Sequence, residues 1–171
     1  TGGRVAKRVG IIGVGGRMGN ALLRAIDESP DLTLASALDR AGSTVVGQDA
    51  GTLIGGAPSG VFVGQDLHRA LAGLDVAVDF SRADSAGDHA EACATAGVPL
   101  LIGTTGLDEA TIGRIDRVVA DIPILVAANT SLALNVLLEL VRQAAAALPR
   151  EFDIEIFEAH HRHKVDAPSG T

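Results

Sequence analysis

A chain of 171 residues that is 47% hydrophobic and carries 21 glycines has apolar material for one packed domain, or one domain and part of another, and is globular rather than disordered. Its formal net charge of −7 argues against non-specific nucleic-acid binding, which needs a basic face. A lone Cys93 excludes an internal disulfide and fits a reducing compartment, and no apolar run approaches the roughly 20 residues that span a bilayer. The expectation is a soluble cytoplasmic protein without a nucleic-acid or membrane partner.

Short β-rich apolar runs alternate with helix-like stretches. The runs cover 8–14, 32–39, 75–81, 99–105 and 123–129. With four Phe and no Trp or Tyr, the core is expected to be aliphatic. The first helical stretch, "RMGNALLRAIDES", sets Met18, Leu22 and Ile26 on one face and stops before Pro30. "SAGDHAEACATAG" is Ala-rich and ends at Gly97; "DEATIGRIDRVVAD" opens with acids that suit a helix N-terminus. Strands that are apolar throughout and alternate with helices predict an α/β fold: a Rossmann-like parallel sheet with helices on both faces. Residues 42–61 are Gly-rich with weak periodicity and read as a loop-rich excursion. After Asn129 the pattern changes. Residues 131–149 form a long amphipathic helix. In "EFDIEIFEAHH", Phe152, Ile154 and Ile156 alternate with Asp153 and Glu155, which predicts a strand with one wet face. A dinucleotide-binding domain is therefore expected over 1–130, and the start of a second, mixed α/β domain over 131–171.

The first run leads into "GIIGVGGRMG". Gly13, Gly15 and Gly16 can take backbone angles closed to other residues and let a phosphate approach the main chain, while the next helix points free N–H groups at it. The spacing is one residue off the strict G-x-G-x-x-G pattern, with the late glycine at Gly19. Asp39 follows twenty residues later at the end of the second run, where a carboxylate can hold ribose hydroxyls. Arg40 beside it can meet a 2′-phosphate. A solvated strand end is the bland reading of that pair, and packing is the bland reading of the glycines; their common register favours a nucleotide. "GTTG" (103–106) and "AANTS" (127–131) end later runs, where ligands of open parallel sheets bind. Small and hydroxyl residues there leave room for a flat ring.

The chain closes on "HHRHKVDAPSGT", and three readings compete for it. A metal site is disfavoured, because adjacent residues on an extended chain face opposite ways and no cysteine is near. A basic turn without a role is the second. The third is an anion-binding, proton-donating site: a histidine delivers a proton near neutrality, a lysine pairs with a carboxylate, and Ser169, Gly170 and Thr171 present N–H and hydroxyl groups to another.

"GVGGRMG", "GTTG", "AANTS" and above all "EAHHRHKVDAPSGT" resemble the 4-hydroxy-tetrahydrodipicolinate reductase (dihydrodipicolinate reductase) family of lysine and diaminopimelate biosynthesis. The resemblance runs over essentially the whole chain, in the same order; its closing motif is long and specific, its glycine loop is not. It implies an oxidoreductase that uses NADH or NADPH to reduce a cyclic dicarboxylate, usually as a homotetramer. It implies cofactor binding by Gly13, Val14, Gly15, Gly16, Arg17 and Met18, by Asp39 or Arg40, by Gly103, Thr104 and Thr105, and by Ala127, Ala128, Asn129 and Thr130. It implies His160 as proton donor, Lys164 as its partner at the substrate, and His161, Gly170 and Thr171 as substrate binders; no metal is implied. Two positions depart from the family's pattern: Thr130, where an aromatic residue or Met is frequent, and Ala133, where Gly is. Both bear on packing beside the nicotinamide, not on the reaction class. The family's chain continues past the Ser-Gly-Thr turn, so residues 1–171 are expected to be its amino-terminal part, binding cofactor with little turnover. Two rivals are another two-domain Rossmann dehydrogenase acting on an amino or keto acid, and a nucleotide sensor that turns nothing over.

Overall fold

The computed structural model describes residues 5–159 and Arg162. It divides into two compact units, residues 1–126 and 127–171.

The first unit is a parallel sheet of five strands: β1 (Lys7–Ile12), β2 (Leu32–Leu38), β3 (Val76–Asp79), β4 (Leu100–Ile102) and β5 (Ile124–Val126), in the order β2-β1-β3-β4-β5. Helices α1 (Arg17–Asp27), α2 (Ala50–Leu53), α3 (Leu67–Ala70), α4 (Ala86–Ala96) and α5 (Glu109–Val118) connect them. The predicted Rossmann-like architecture is the one observed. Alternation along β1 explains the two layers. Ile11 belongs to a core with Leu23 and Ile26 of α1 and Ala50 of α2. Ile12, on the other face, joins Ala90 and Cys93 of α4 and Ile115 of α5. Fully buried Ile11 and Ile102 each contribute about 1.5–3 kcal/mol relative to exposure. The small residues of α4 let it lie close to the sheet, and Gly97, at a φ of 68°, ends it where only a glycine turns freely.

Several elements differ from the sequence expectation. The face that α1 buries is Gly19, Leu23 and Ile26; Met18 is exposed and Leu22 only partly covered. Side chains of a helix lean toward its N-terminus, and the close seat of Gly19 rotates the buried stripe by one residue. The excursion 42–61 contains α2, begun by Asp49, whose carboxylate accepts from the Gly51, Ser59 and Gly60 amides. Strands β3, β4 and β5 are shorter than their apolar runs, because the last residues of the first two runs leave the ladder and turn into the site described below.

The second unit contains α6 (Leu132–Ala147), started by Ser131, whose Oγ accepts from the Leu134 amide. The alternating segment predicted as a strand forms none over its described residues 151–159. A strand exists only through a ladder with a neighbour, and no other strand lies among the described residues of this unit.

Candidate functional site

The order β2-β1-β3 means that the chain runs one way from β1 to β2 and the other way from β1 to β3. Beyond the carboxyl ends of β1 and β3 lies the crevice where open parallel sheets bind ligands. The residues following β1 fill its floor. Gly13 has a φ of 84°, and a Cβ there would stand 2.9 Å from Ser81 Cα and 3.0 Å from the Phe80 carbonyl. A Cβ on Gly15 would collide with the Asp39 carboxylate, and one on Gly19 with the Val14 and Gly13 carbonyl oxygens. The loop is thus packed against β3's exit at Gly13 and against its own carbonyls at Gly19, where only glycine fits, while a Cβ at Gly15 would have to displace the Asp39 carboxylate. Asn20 binds the turn from above, donating from Nδ2 to the carbonyls of Val14 (3.2 Å) and Gly16 (3.0 Å).

Gly16 starts α1 without a side-chain cap, and α1's first turn carries no acid. By contrast α2, α3, α5 and α6 are capped by the side chains of Asp49, Asp66, Asp108 and Ser131. The free N–H groups at the start of α1 are open to an anion.

Two depressions adjoin here. One, about 430 Å³, is lined by Gly13, Gly15, Asp39, Arg40, Gln65 and His89 among others. The other, about 660 Å³, is lined by Arg17, Met18, Asp84, Gly103, Thr104 and Thr105 among others. They share Gly16, Phe80, Ser81 and Arg82 as a common wall. A further groove of about 320 Å³ lies by the start of β2, at Leu32, Thr33 and Leu34, away from the strands' carboxyl ends.

The sequence-predicted residues of the first unit converge on this crevice. Asp39 Oδ2 accepts from the Gly15 amide (2.9 Å) and Oδ1 from the Arg40 amide (2.8 Å), so the carboxylate is fixed beside the glycine loop with lone pairs to spare. Gly103 lies under the Phe80 ring, which occupies the space a side chain would need. Thr104 Oγ1 is buried with no hydrogen-bond partner among the described residues, an unusual cost that a bound polar group would relieve. Val14 is wholly buried and supports the loop from below. A glycine-lined cradle, an open helix N-terminus, a carboxylate at the end of β2 and an orphan hydroxyl together fit a dinucleotide. Ala127, Ala128, Asn129 and Thr130 belong to the second unit. There Asn129 Oδ1 accepts from the Ser131 amide, and Asn135 donates to the carbonyls of Asn129 and Ser131, giving a firm turn before α6. His160, His161, Lys164, Ser169, Gly170 and Thr171 lie outside the described residues. Among the described residues no group of His, Cys, Asp and Glu could hold a metal ion, and no helix is long and apolar enough to cross a membrane.

Sequence reasoning missed a polar pair behind this wall. Asp79 ends β3, is fully buried, and accepts from His89 Nδ1 (2.7 Å) and from the Ser81 amide (2.8 Å). The available signal was an acid within the apolar run "DVAVDFS" and a histidine within the Ala-rich helix.

A family model described as dihydrodipicolinate reductase, N-terminus, matches residues 7–130, and one described as dihydrodipicolinate reductase, C-terminus, matches residues 133–171. The chain is 46% identical over 164 residues to a 4-hydroxy-tetrahydrodipicolinate reductase of Anaeromyxobacter dehalogenans, covering 96% of this chain and 61% of that protein. It is 51% identical to the protein of the same name from Thiobacillus denitrificans, with the same coverage. It thus spans about three fifths of these relatives' length. Among solved structures, a dipicolinate-bound dihydrodipicolinate reductase from Paenisporosarcina sp. TG-14 superposes with a TM-score of 0.76 at 26% identity, covering 97% of this chain and 62% of that one. A myo-inositol 2-dehydrogenase from Lactobacillus plantarum, with a TM-score of 0.61 at 14% identity over 83% of this chain and 42% of that one, shares the fold alone.

Proposed function

The chain belongs to the dihydrodipicolinate reductase family, and from that premise we propose that it is the NADH- or NADPH-binding part of a 4-hydroxy-tetrahydrodipicolinate reductase acting in lysine and diaminopimelate biosynthesis. The observation that carries the reading is the pair of depressions sharing one wall across the β1 and β3 ends, since a dinucleotide has two nucleosides joined at a central pyrophosphate. Gly13, Gly15 and Gly16 with the first amides of α1, Arg17 and Met18 among them, receive the pyrophosphate. Asp39 and Arg40 hold the adenosine ribose, and Gly103, Thr104 and Thr105 the nicotinamide side. The family resemblance assigns Ala127, Ala128, Asn129 and Thr130 to the cofactor as well. The bound cofactor supplies hydride to the ring of the cyclic dicarboxylate, which loses water. The rest of the chemistry falls to the closing motif: His160 delivers a proton, Lys164 pairs with the substrate, and His161, Ser169, Gly170 and Thr171 hold its carboxylates. The division of labour is 1–130 for the dinucleotide and 131–171 for the start of the substrate domain. The assembly is a homotetramer in the cytoplasm.

Titration with each cofactor tests the reading. Asp39 accepts from ribose hydroxyls and repels a 2′-phosphate, while Arg40 attracts one. NADH and NADPH are expected to bind within about tenfold of each other, roughly 1.4 kcal/mol. A chain that bound neither would not be a dinucleotide protein; one that bound both but never reduced the cyclic substrate would match the sensor alternative.

A further inference from the structure

Resting on the assignment of the Asp39–Arg40 cavity to the adenosine half of the cofactor, we propose that His89, oriented by buried Asp79, is a further contact for that half. The cavity runs across the end of β1 from the end of β2, where Asp39 and Arg40 stand, to the exit of β3, where Ser81, Arg82, Ser85 and His89 form the facing wall. His89 is on α4, and its side chain keeps 13% of its surface exposed, bordering this cavity. The nicotinamide-side depression does not include it.

The ring is held. Asp79 Oδ2 takes the Nδ1 hydrogen at 2.7 Å, Oδ1 takes the Ser81 amide at 2.8 Å, and Ser81 Oγ lies 3.4 Å from Nδ1. Nε2 makes no hydrogen bond among the described residues. An apolar residue at position 79 would seal the core without the desolvation cost of a buried carboxylate. What the carboxylate adds is a fixed tautomer and a fixed ring plane, leaving one nitrogen free for a ligand. The neighbouring Cys93 offers no competing chemistry: burial, then the charge of Asp79, pushes its thiol up to about 12. The same carboxylate steadies Ser81, against which Gly13 packs, so ring and glycine loop are set by one group. Adenine and its ribose present donors and acceptors that Nε2 can meet.

The test uses the full chain labelled with 15N-histidine, with ADP-ribose and nicotinamide mononucleotide as separate probes. The His89 Nε2 resonance is expected to shift and saturate with ADP-ribose and to stay put with nicotinamide mononucleotide. His89→Leu is expected to weaken ADP-ribose binding about tenfold, the scale of one hydrogen bond, and Asp79→Asn to weaken it in the same direction by less. If ADP-ribose binds the unaltered chain without moving that resonance, or binds His89→Leu equally well, the pair is only a tether between β3 and α4 and the inference fails while the cofactor assignment stands. If ADP-ribose does not bind the unaltered chain at all, both fail. Should His89→Leu not fold, the resonance of the unaltered chain still decides.

Discussion

Gly19 shows how one residue sets a loop. A methyl group there would gain helix propensity worth about 1 kcal/mol. Yet it would fall within 3.0 Å of two backbone carbonyl oxygens, which cannot rotate away as a side chain would. Overpacking of this kind costs about 1–3 kcal/mol, so the unfavourable effect wins. Gly19→Ala is expected to lower stability in urea by the difference, up to about 2 kcal/mol, and to weaken NADH binding, because α1 must withdraw from the turn its amides complete. Unchanged stability together with unchanged affinity would show that α1 slides without cost. The glycine loop was legible because a glycine-rich turn between an apolar run and an amphipathic stretch has few purposes, and Asp39 because strand ends in a parallel sheet fall at regular intervals. Asp79 and His89 were not legible. In a strand buried on both faces there is no polar side to make alternation visible, so nothing in "DVAVDFS" says which way the acid turns.

At the level of elements, α4 and α5 are clamped by Arg114. Its Nε and Nη2 meet both oxygens of Glu91 at 2.9 and 2.7 Å, and Nη2 also meets Asp88. Arg114 lies over Gly87, where a Cβ would stand 3.0 Å from its Nε. Hydrogen bonding to Arg114 is the chief reason the Glu91 carboxyl sits below its ordinary 4.5. A carboxyl depressed in the folded state adds stability that is complete above its unfolded value and fades as pH falls below about 4.5. Arg114→Ala is therefore expected to lower Tm at neutral pH and to flatten its decline on acidification; parallel Tm curves would exclude the clamp as a source of acid sensitivity. The strand runs were over-read for a related reason. Phe80, Ser81, Gly103 and Thr104 continue the apolar or small character of β3 and β4 but serve the crevice wall, and hydropathy cannot distinguish a ladder residue from one that lines a crevice.

For the molecule as a whole, binding and chemistry are assigned to different stretches of chain. His160→Ala is expected to reduce kcat by roughly 10²–10⁴ and leave NADH affinity unchanged, while Lys164→Ala also raises KM. Wild-type rates in both variants would remove the closing motif from the mechanism. That motif was the most legible feature of the sequence, because a dense run of titratable residues is improbable as packing; its place in the fold lies outside the described residues. The order of the sheet carries one more consequence. β1 is the first strand made, yet its partner β3 arrives late: the Arg8 amide bonds an Asp75 oxygen 67 residues further on. Contacts so distant in sequence slow folding, since a long loop closes before they reward it. During synthesis the nascent glycine turn therefore waits with one flank bare until Phe80 and Ser81 emerge to support Gly13, and His89 to meet Asp79. A ribosome stalled before that point holds a chain that carries the glycine loop's sequence but not the walls of its crevice.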